Sequence, residues 1–289
     1  MPVRTSLFYL LWTTLPQPLC WALLWVAHTS QGVAAAEALP LVVLILVGLL
    51  FVSGAYRLSQ QLTPRTKPFV LGASLAFNLL LAWVLPLPLV FFVASAVAVL
   101  AGEVYRVFGP SAPMLAAMSV YIVCTLLANF TFDSFLALPV YGQLSVGTLF
   151  FGVTFTQRDR VHSFGKSRAY QMIAVAACAN LALSAYLGIP LRFLLAGFLA
   201  ILISETADTE VYGRLVKRGW LTRVLTSNAF SIPLDSVTFT AIAFAGTLSV
   251  ATMGEIVFAD ILAKTVVGFL AAAHVLRRGA VRTAAPTSS

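Results

Sequence analysis

Apolar stretches of about twenty residues follow one another along almost the whole chain, separated by short gaps rich in turn residues and arginine. Nothing constrains the fold more. About 20 apolar residues cross a bilayer as a helix, and in lipid the backbone has to find its hydrogen-bond partners inside the protein. By that yardstick ten segments are read, at roughly 7–28, 39–57, 68–85, 88–106, 113–131, 143–158, 168–188, 191–212, 222–247 and 253–276. The gaps carry Pro86 and Pro88, Gly109-Pro110, Gly142, Gly165, Gly188, Gly213 and Gly219. Of the 289 residues 60% are hydrophobic and only 10% charged, against about 25% charged in a soluble domain. Mean hydropathy is +0.94. The expected class is an all-α polytopic membrane protein with about ten transmembrane helices.

The net charge of +8 suggests nucleic acid only where bases cluster on a soluble domain. Here the bases fall in the gaps between apolar segments, so no nucleic-acid partner is expected. With the N-terminus inside, the cytoplasmic gaps hold Arg57, Arg65 and Lys67, then Arg106, then Arg158, Arg160, Lys166 and Arg168. The last two hold Arg214, Lys217, Arg218 and Arg223, and Arg277, Arg278 and Arg282, whereas the outer side holds only Arg192. This bias predicts a multi-pass protein of the cell (inner) membrane with both termini cytoplasmic. Arg4, an apolar run and Ala34-Ala35-Ala36 mimic a cleavable signal peptide. The run from Leu7 to Ala27 is too long for a signal core and is interrupted by Pro16 and Pro18, so a retained segment is expected.

Charge is not spread evenly in depth. Asp208, Asp235, Glu255, Asp260 and Lys264 lie in or near the middle of apolar stretches, whereas the charges of the first hundred residues lie at segment ends. A charge at the centre of a membrane helix costs roughly 2.5–3.5 kcal/mol by insertion scales, so such residues read as functional. The chain is therefore divided near Gly109-Pro110: a four-helix extension at 1–110, a polar six-helix core at 111–279 and a disordered cytoplasmic tail at 280–289. By helical rise, Asp235 lies roughly 20 Å from the inner start of its segment and Lys264 roughly 17 Å from the outer start of the next. Both reach the bilayer centre on consecutive antiparallel helices. Asp260 shares a helix face with Lys264, as Asp208 does with Glu205 and with Tyr212. Pro233 removes a backbone donor just before Asp235, and irregular backbone at that depth is tolerated where it is buried or lines a cavity. A polar midplane cavity is the form taken by transporter substrate sites. For Asp159, with Arg158 and Arg160, a role in topology at the membrane boundary is weighed equally with one in binding.

Other chemistries are excluded by spacing. Cys20, Cys124 and Cys178 share no metal-ligand pattern. His28, His162 and His274 are scattered, which argues against a zinc centre or a histidine-based triad. Phe164-Gly165-Lys166-Ser167 ends like a phosphate loop, but the position of the first required glycine is Arg160. No cofactor and no metal are expected.

Read in order, the polar residues resemble a known family. They are Asn129, the run Thr154-Phe155-Thr156-Gln157-Arg158-Asp159, and Glu205-Thr206-Ala207-Asp208-Thr209-Glu210-Val211-Tyr212. Ser227-Asn228, Asp235-Ser236 and Glu255 through Asp260 to Lys264 complete the series. Over roughly 113–278 this is similar to the vitamin-uptake-type family of queuosine precursor transporters, relatives of the substrate-binding subunits of energy-coupling-factor importers. The resemblance implies a six-helix substrate-binding core and import of 7-cyano- or 7-aminomethyl-7-deazaguanine for tRNA modification. It names Asn129, Asp159, Glu205, Asp208, Tyr212, Asn228, Asp235, Asp260 and Lys264 as candidate substrate contacts. Two departures stand out: the extension at 1–110 is outside the family's usual core, and Glu205 stands where better-known members have Gln.

The chemistry of such a substrate fits these side chains. A deazaguanine presents adjacent ring and exocyclic N–H donors, which the carboxylate of Asp235 or Asp208 can accept as a pair. Asn228 and Asn129 suit the carbonyl edge, Tyr212, Phe230 or Phe239 suit stacking, and Lys264 balances the acids of the empty site through Asp260. The implied partners are this small molecule and the bilayer, with a second copy or an energising partner as the protein partner. No nucleotide-binding motif is recognisable, so the energy comes from a gradient, a partner or trapping of the substrate. An importer of another heterocycle or vitamin is the alternative. An intramembrane enzyme using Asp208 and Asp235 as an acid/base pair is disfavoured, because no nucleophile–base constellation accompanies them.

Overall fold

The computed structural model describes residues 2–29, 39–84, 91–131, 134–139, 141–186, 188 and 190–277. The tail at 280–289, the Ala34-Ala35-Ala36 site and the Pro86 and Pro88 gap lie outside these residues. Apart from one small hairpin and the connecting turns, the described residues are helical, as the apolar segments require. Three helical stretches among them are long and apolar enough to cross a membrane by length and composition: Lys67–Val84, Phe92–Phe130 and Lys166–Tyr186. By contact the chain falls into two compact units, 1–127 and 128–289.

The first unit contains α1 (Pro2–Thr14), α2 (Pro16–Thr29), α3 (Leu39–Gln60), α4 (Lys67–Val84), α5 (Phe92–Val104) and most of α6 (Ala112–Phe130). The first predicted segment is thus two helices and not one. Pro16 has no N–H to continue α1, but its fixed φ suits the first position of a new helix, so the chain turns at Leu15. A short 3-10 helix, Tyr105–Ser111, joins α5 to α6, and within it Gly109 takes φ +52° immediately before Pro110. Among the described residues the interior of this unit holds a polar cluster. Gln17 donates to the Asn78 carbonyl and to its side-chain oxygen, both at 3.0 Å, and Ser95 donates to that oxygen at 3.1 Å. Thr13 and Ser74 share a hydrogen bond of 2.6 Å beside them. Such bonds act as interhelical glue where the surroundings supply no water. At one helix end Glu103 pairs with Lys67 at 2.8 Å and with Arg106 at 2.9 Å.

The second unit starts with the end of α6 and a two-stranded antiparallel hairpin, β1 (Phe135–Ala137) against β2 (Gln143–Ser145), with Phe135 opposite Ser145. Five helices follow β2: α7 (Val146–His162), α8 (Lys166–Tyr186), α9 (Leu191–Arg214), α10 (Trp220–Phe244) and α11 (Val250–Arg277). Ser145 caps α7 by accepting from the Gly147 N–H at 3.2 Å. α9 packs most extensively on α10, while α11 lies against both α7 and α10. The close approach of α7 and α11 depends on Gly152, where a Cβ would stand 2.5 Å from Val267 Cγ1.

The sixth segment differs from its sequence reading. α7 runs to His162, one turn past the expected end at 158, so Arg158 is inside a helix and buried at 1% exposure. The chain between Gly152 and Gly165 holds neither glycine nor proline, and the turn at Ser163 and Phe164 is the first place it can stop.

Candidate functional site

The spacing of polar residues puts each set on one side of its helix. Thr148, Phe151, Phe155 and Arg158 recur at three- and four-residue steps along α7, as do Asn228, Ser231 and Asp235 along α10. Glu205, Asp208 and Tyr212 do the same on α9, and Asp260 and Lys264 on α11. Packing of these four helices brings the polar sides together as two linked groups.

The first group is centred on Arg158. Its guanidinium meets Glu205 Oε2 at 2.9 Å and Asp208 Oδ1 at 3.0 Å, and donates to Asn228 Oδ1 at 3.1 Å. The Phe155 ring lies 5.2 Å from its central carbon, a cation–π contact. Ser231 donates to Asp208 Oδ1 at 2.9 Å. Asp159, buried at 5% exposure, comes no nearer to Arg158 than 3.7 Å, beyond hydrogen-bond reach. Neither of its carboxylate oxygens has a hydrogen-bond partner, and neither does Asp208 Oδ2.

The second group is centred on Lys264, which donates to Asp235 Oδ2 at 2.7 Å, to Asp260 and to Ser236 at 3.3 Å. Ser204 donates to the other oxygen of Asp235 at 3.1 Å. Ser236, at 2.7 Å, and Thr148 both donate to Asp260, and the Phe151 ring lies 5.0 Å from the ammonium. The two groups meet along α9 and α10, where Ser204 adjoins Glu205 and Ser231 lies one turn from Asp235.

Five carboxylates, those of Asp159, Glu205, Asp208, Asp235 and Asp260, therefore face two cations, Arg158 and Lys264. Buried ions are tolerated where pairing and hydrogen bonds are complete. Here the carboxyl groups outnumber the cations by three, and several of their oxygens are unmatched.

Beside this string, α10 and α11 enclose a groove of about 470 Å³ walled by Asn228, Ala229, Pro233, Thr265, Gly268 and Phe269, within the size range of small-molecule sites. Pro233 deprives the Ala229 carbonyl of its helical donor, and both residues line this groove.

The sequence-derived candidates are thus distributed unevenly. Asp159, Glu205, Asp208 and Asn228 gather at Arg158, and Asp235 and Asp260 at Lys264. Tyr212 sits beside the first group with its ring already covered by Arg223 at 3.9 Å and by His162 at 4.7 Å. Asn129 is hydrogen-bonded apart from both groups: its amide donates to Ser184 at 2.9 Å, and its oxygen faces Gly197, where a Cβ would come within 2.9 Å. Gly197 precedes Ser204 on α9 by two turns, about 10 Å. Phe230 points outward, 61% exposed. Arg158 as the hub, and the hydroxyls of Thr148, Ser204, Ser231 and Ser236, were not among the sequence-derived contacts. The uninterrupted run from Gly152 to Gly165 was the available signal for Arg158.

Residues 181–277 match the family model described as "Putative vitamin uptake transporter", about a third of the chain. The match spans α9 to α11 and takes in Glu205, Asp208, Tyr212, Asn228, Asp235, Asp260 and Lys264; Asn129, Arg158 and Asp159 lie outside it. The family resemblance read from the sequence is met by this match. Over this third the chain is similar to a family of small-molecule uptake transporters, and its apolar helices suit a membrane protein. No curated protein and no solved structure matches the chain.

Proposed function

We propose that the protein imports a queuosine precursor, 7-cyano- or 7-aminomethyl-7-deazaguanine, across the cell membrane for tRNA modification. The supporting observation is the surplus of buried carboxylates over cations along α7, α9, α10 and α11. A deazaguanine offers paired N–H donors on one edge, which is what unmatched carboxylate oxygens accept. Asp208, with one oxygen unpartnered, is the favoured anchor, and Asn228 supplies the amide for the carbonyl edge. Asp235, Asp260, Glu205 and Lys264 hold the charge of the empty site and re-pair when the substrate arrives. Tyr212 stacks on the ring after giving up its Arg223 contact, and Asn129 closes the far side of the site.

In this reading the chain crosses the bilayer ten times with both termini in the cytoplasm, carries out no covalent chemistry, and uses 1–110 as a scaffold. The test is uptake of labelled 7-aminomethyl-7-deazaguanine by cells that can neither synthesise nor import it. Accumulation that disappears with Asp208→Asn and Lys264→Ala supports the assignment. Absence of accumulation with well-expressed protein in the membrane rejects that substrate. A second reading, import of another vitamin-like heterocycle, is favoured by the family description and by Glu205, and competition by unlabelled heterocycles in the same assay separates the two.

A further inference from the structure

We propose that Asp159 is a proton-binding site: its carboxyl carries a proton in the empty protein and exchanges it with the aqueous phase at the end of α7. The inference goes beyond the choice of substrate and rests on the transporter reading only for what the proton is used for.

The geometry of the Arg158 group carries the argument. One guanidinium is already matched by Glu205 at 2.9 Å and Asp208 at 3.0 Å, two negative charges against one positive. Asp159 adds a third carboxylate, its side chain 4% exposed, at 3.7 Å from the same guanidinium. Both of its oxygens are buried and without a hydrogen-bond partner. The charged and titratable groups around it include Arg158 and, one turn on, His162 on its own helix, Glu205, Asp208 and Tyr212 on α9, and Arg223 on α10. Arg223 is drawn over the Tyr212 ring at 3.9 Å, and among the described residues no cation is within hydrogen-bond distance of Asp159. A buried ionised carboxylate without a bonded partner is costly enough that the group neutralises instead.

A proton suits this position better than a metal ion. A metal cation needs several ligands at once, and here it would meet the Arg158 guanidinium at the centre of the carboxylates. Among the described residues no group of three metal-ligating side chains converges. A proton needs one oxygen, and forms the O–H bond that removes the charge. The site is also within reach of water: Asp159 lies one turn before the exposed turn Ser163-Phe164-Gly165, about 6 Å along the axis. Protonation takes H⁺ from that side, and deprotonation returns it there, leaving Asp159 as a carboxylate when a donor or cation enters the site.

The test is infrared difference spectroscopy of the full chain in lipid bilayers without substrate, titrated with pH. The expected result is a protonated-carboxyl C=O band that is lost on alkalinisation, absent in Asp159→Asn and retained in Asp208→Asn. Persistence of the band in Asp159→Asn, or its absence from the wild type at the acid end, overturns the proposal. So does loss of the band on adding sodium at constant pH, because the site would then be one for a metal cation. Should Asp159→Asn fail to fold, Asp159→Glu serves: a shift in the band's frequency and midpoint supports the assignment, and an unmoved band overturns it. The readout uses the empty protein, so an incorrect substrate fails in the uptake assay and leaves this result unaffected.

Discussion

Lys264 on α11 reaches across to Asp235 on α10 and holds it at 2.7 Å, the two side chains being 4% and 6% exposed. Their helices are consecutive, and their depths matched when counted from opposite ends of the two segments. The ammonium also takes Asp260, four residues earlier on its own helix. A single cation thus serves two acids from two helices, and its removal leaves both unneutralised. Breaking a buried pair from one side costs roughly 3–5 kcal/mol. Lys264→Met should therefore lower the thermal midpoint of the purified protein sharply, and Lys264→Met combined with Asp235→Asn should recover part of the loss. Thermal denaturation in detergent checks this, and a double variant no better than the single one contradicts it.

Arg158 is used as a fork, with one nitrogen on Glu205 and the other on Asp208 and Asn228. Lysine has the charge without the planar fork. Arg158→Lys should retain expression but lose most uptake, and Arg158→Gln should lose uptake to background. Equal uptake by Arg158→Lys and wild type would remove the fork from the mechanism.

At Gly152 the added carbon of alanine would stand 2.5 Å from Val267 Cγ1. Overpacking of this kind costs about 1–3 kcal/mol. Gly152→Ala should be destabilised by that order, and Val267→Ala in the same chain should relieve it. Thermal midpoints of the two single variants and the double variant give the coupling directly.

In the first unit, the Gln17 amide donates to the Asn78 carbonyl and side-chain oxygen out of contact with water. Removing one partner of a buried hydrogen bond costs about 1–3 kcal/mol, whereas replacing both by apolar groups is close to neutral. Gln17→Leu should thus be less stable than Gln17→Leu with Asn78→Leu, while uptake by the folded double variant remains near wild type if this unit is a scaffold. Loss of uptake by a stable double variant would instead assign the unit a part in transport.

Much of the helical framework was legible in the chain because it follows from the unbroken apolar segments and from the glycines and prolines between them. The Asp235–Lys264 pair was legible for a related reason: in a helix, sequence distance from a segment end is also depth. Arg158 was not, since Gln157-Arg158-Asp159-Arg160 has the composition of a solvated loop. It is buried by the extension of α7 to His162 together with its ion pairs to Glu205 and Asp208 on α9. The split at Leu15 was signalled by Pro16 and Pro18, but an interruption within an apolar run does not say whether the helix bends or restarts. Hydroxyl partners such as Ser204 and Ser231 are common residues with no distinguishing spacing, and they acquire a role only through the helix opposite them.

Both cations of the polar string stand on flanking helices, Arg158 on α7 and Lys264 on α11, whereas Glu205, Asp208 and Asp235 belong to the tightly packed α9–α10 pair. These ion pairs therefore tie two outer helices electrostatically to one closely packed pair. A ligand that competes for those carboxylates relaxes the grip by the difference between its affinities for the gripped and the released arrangement. Selectivity between those two arrangements, and not affinity as such, then sets how far the helices are freed.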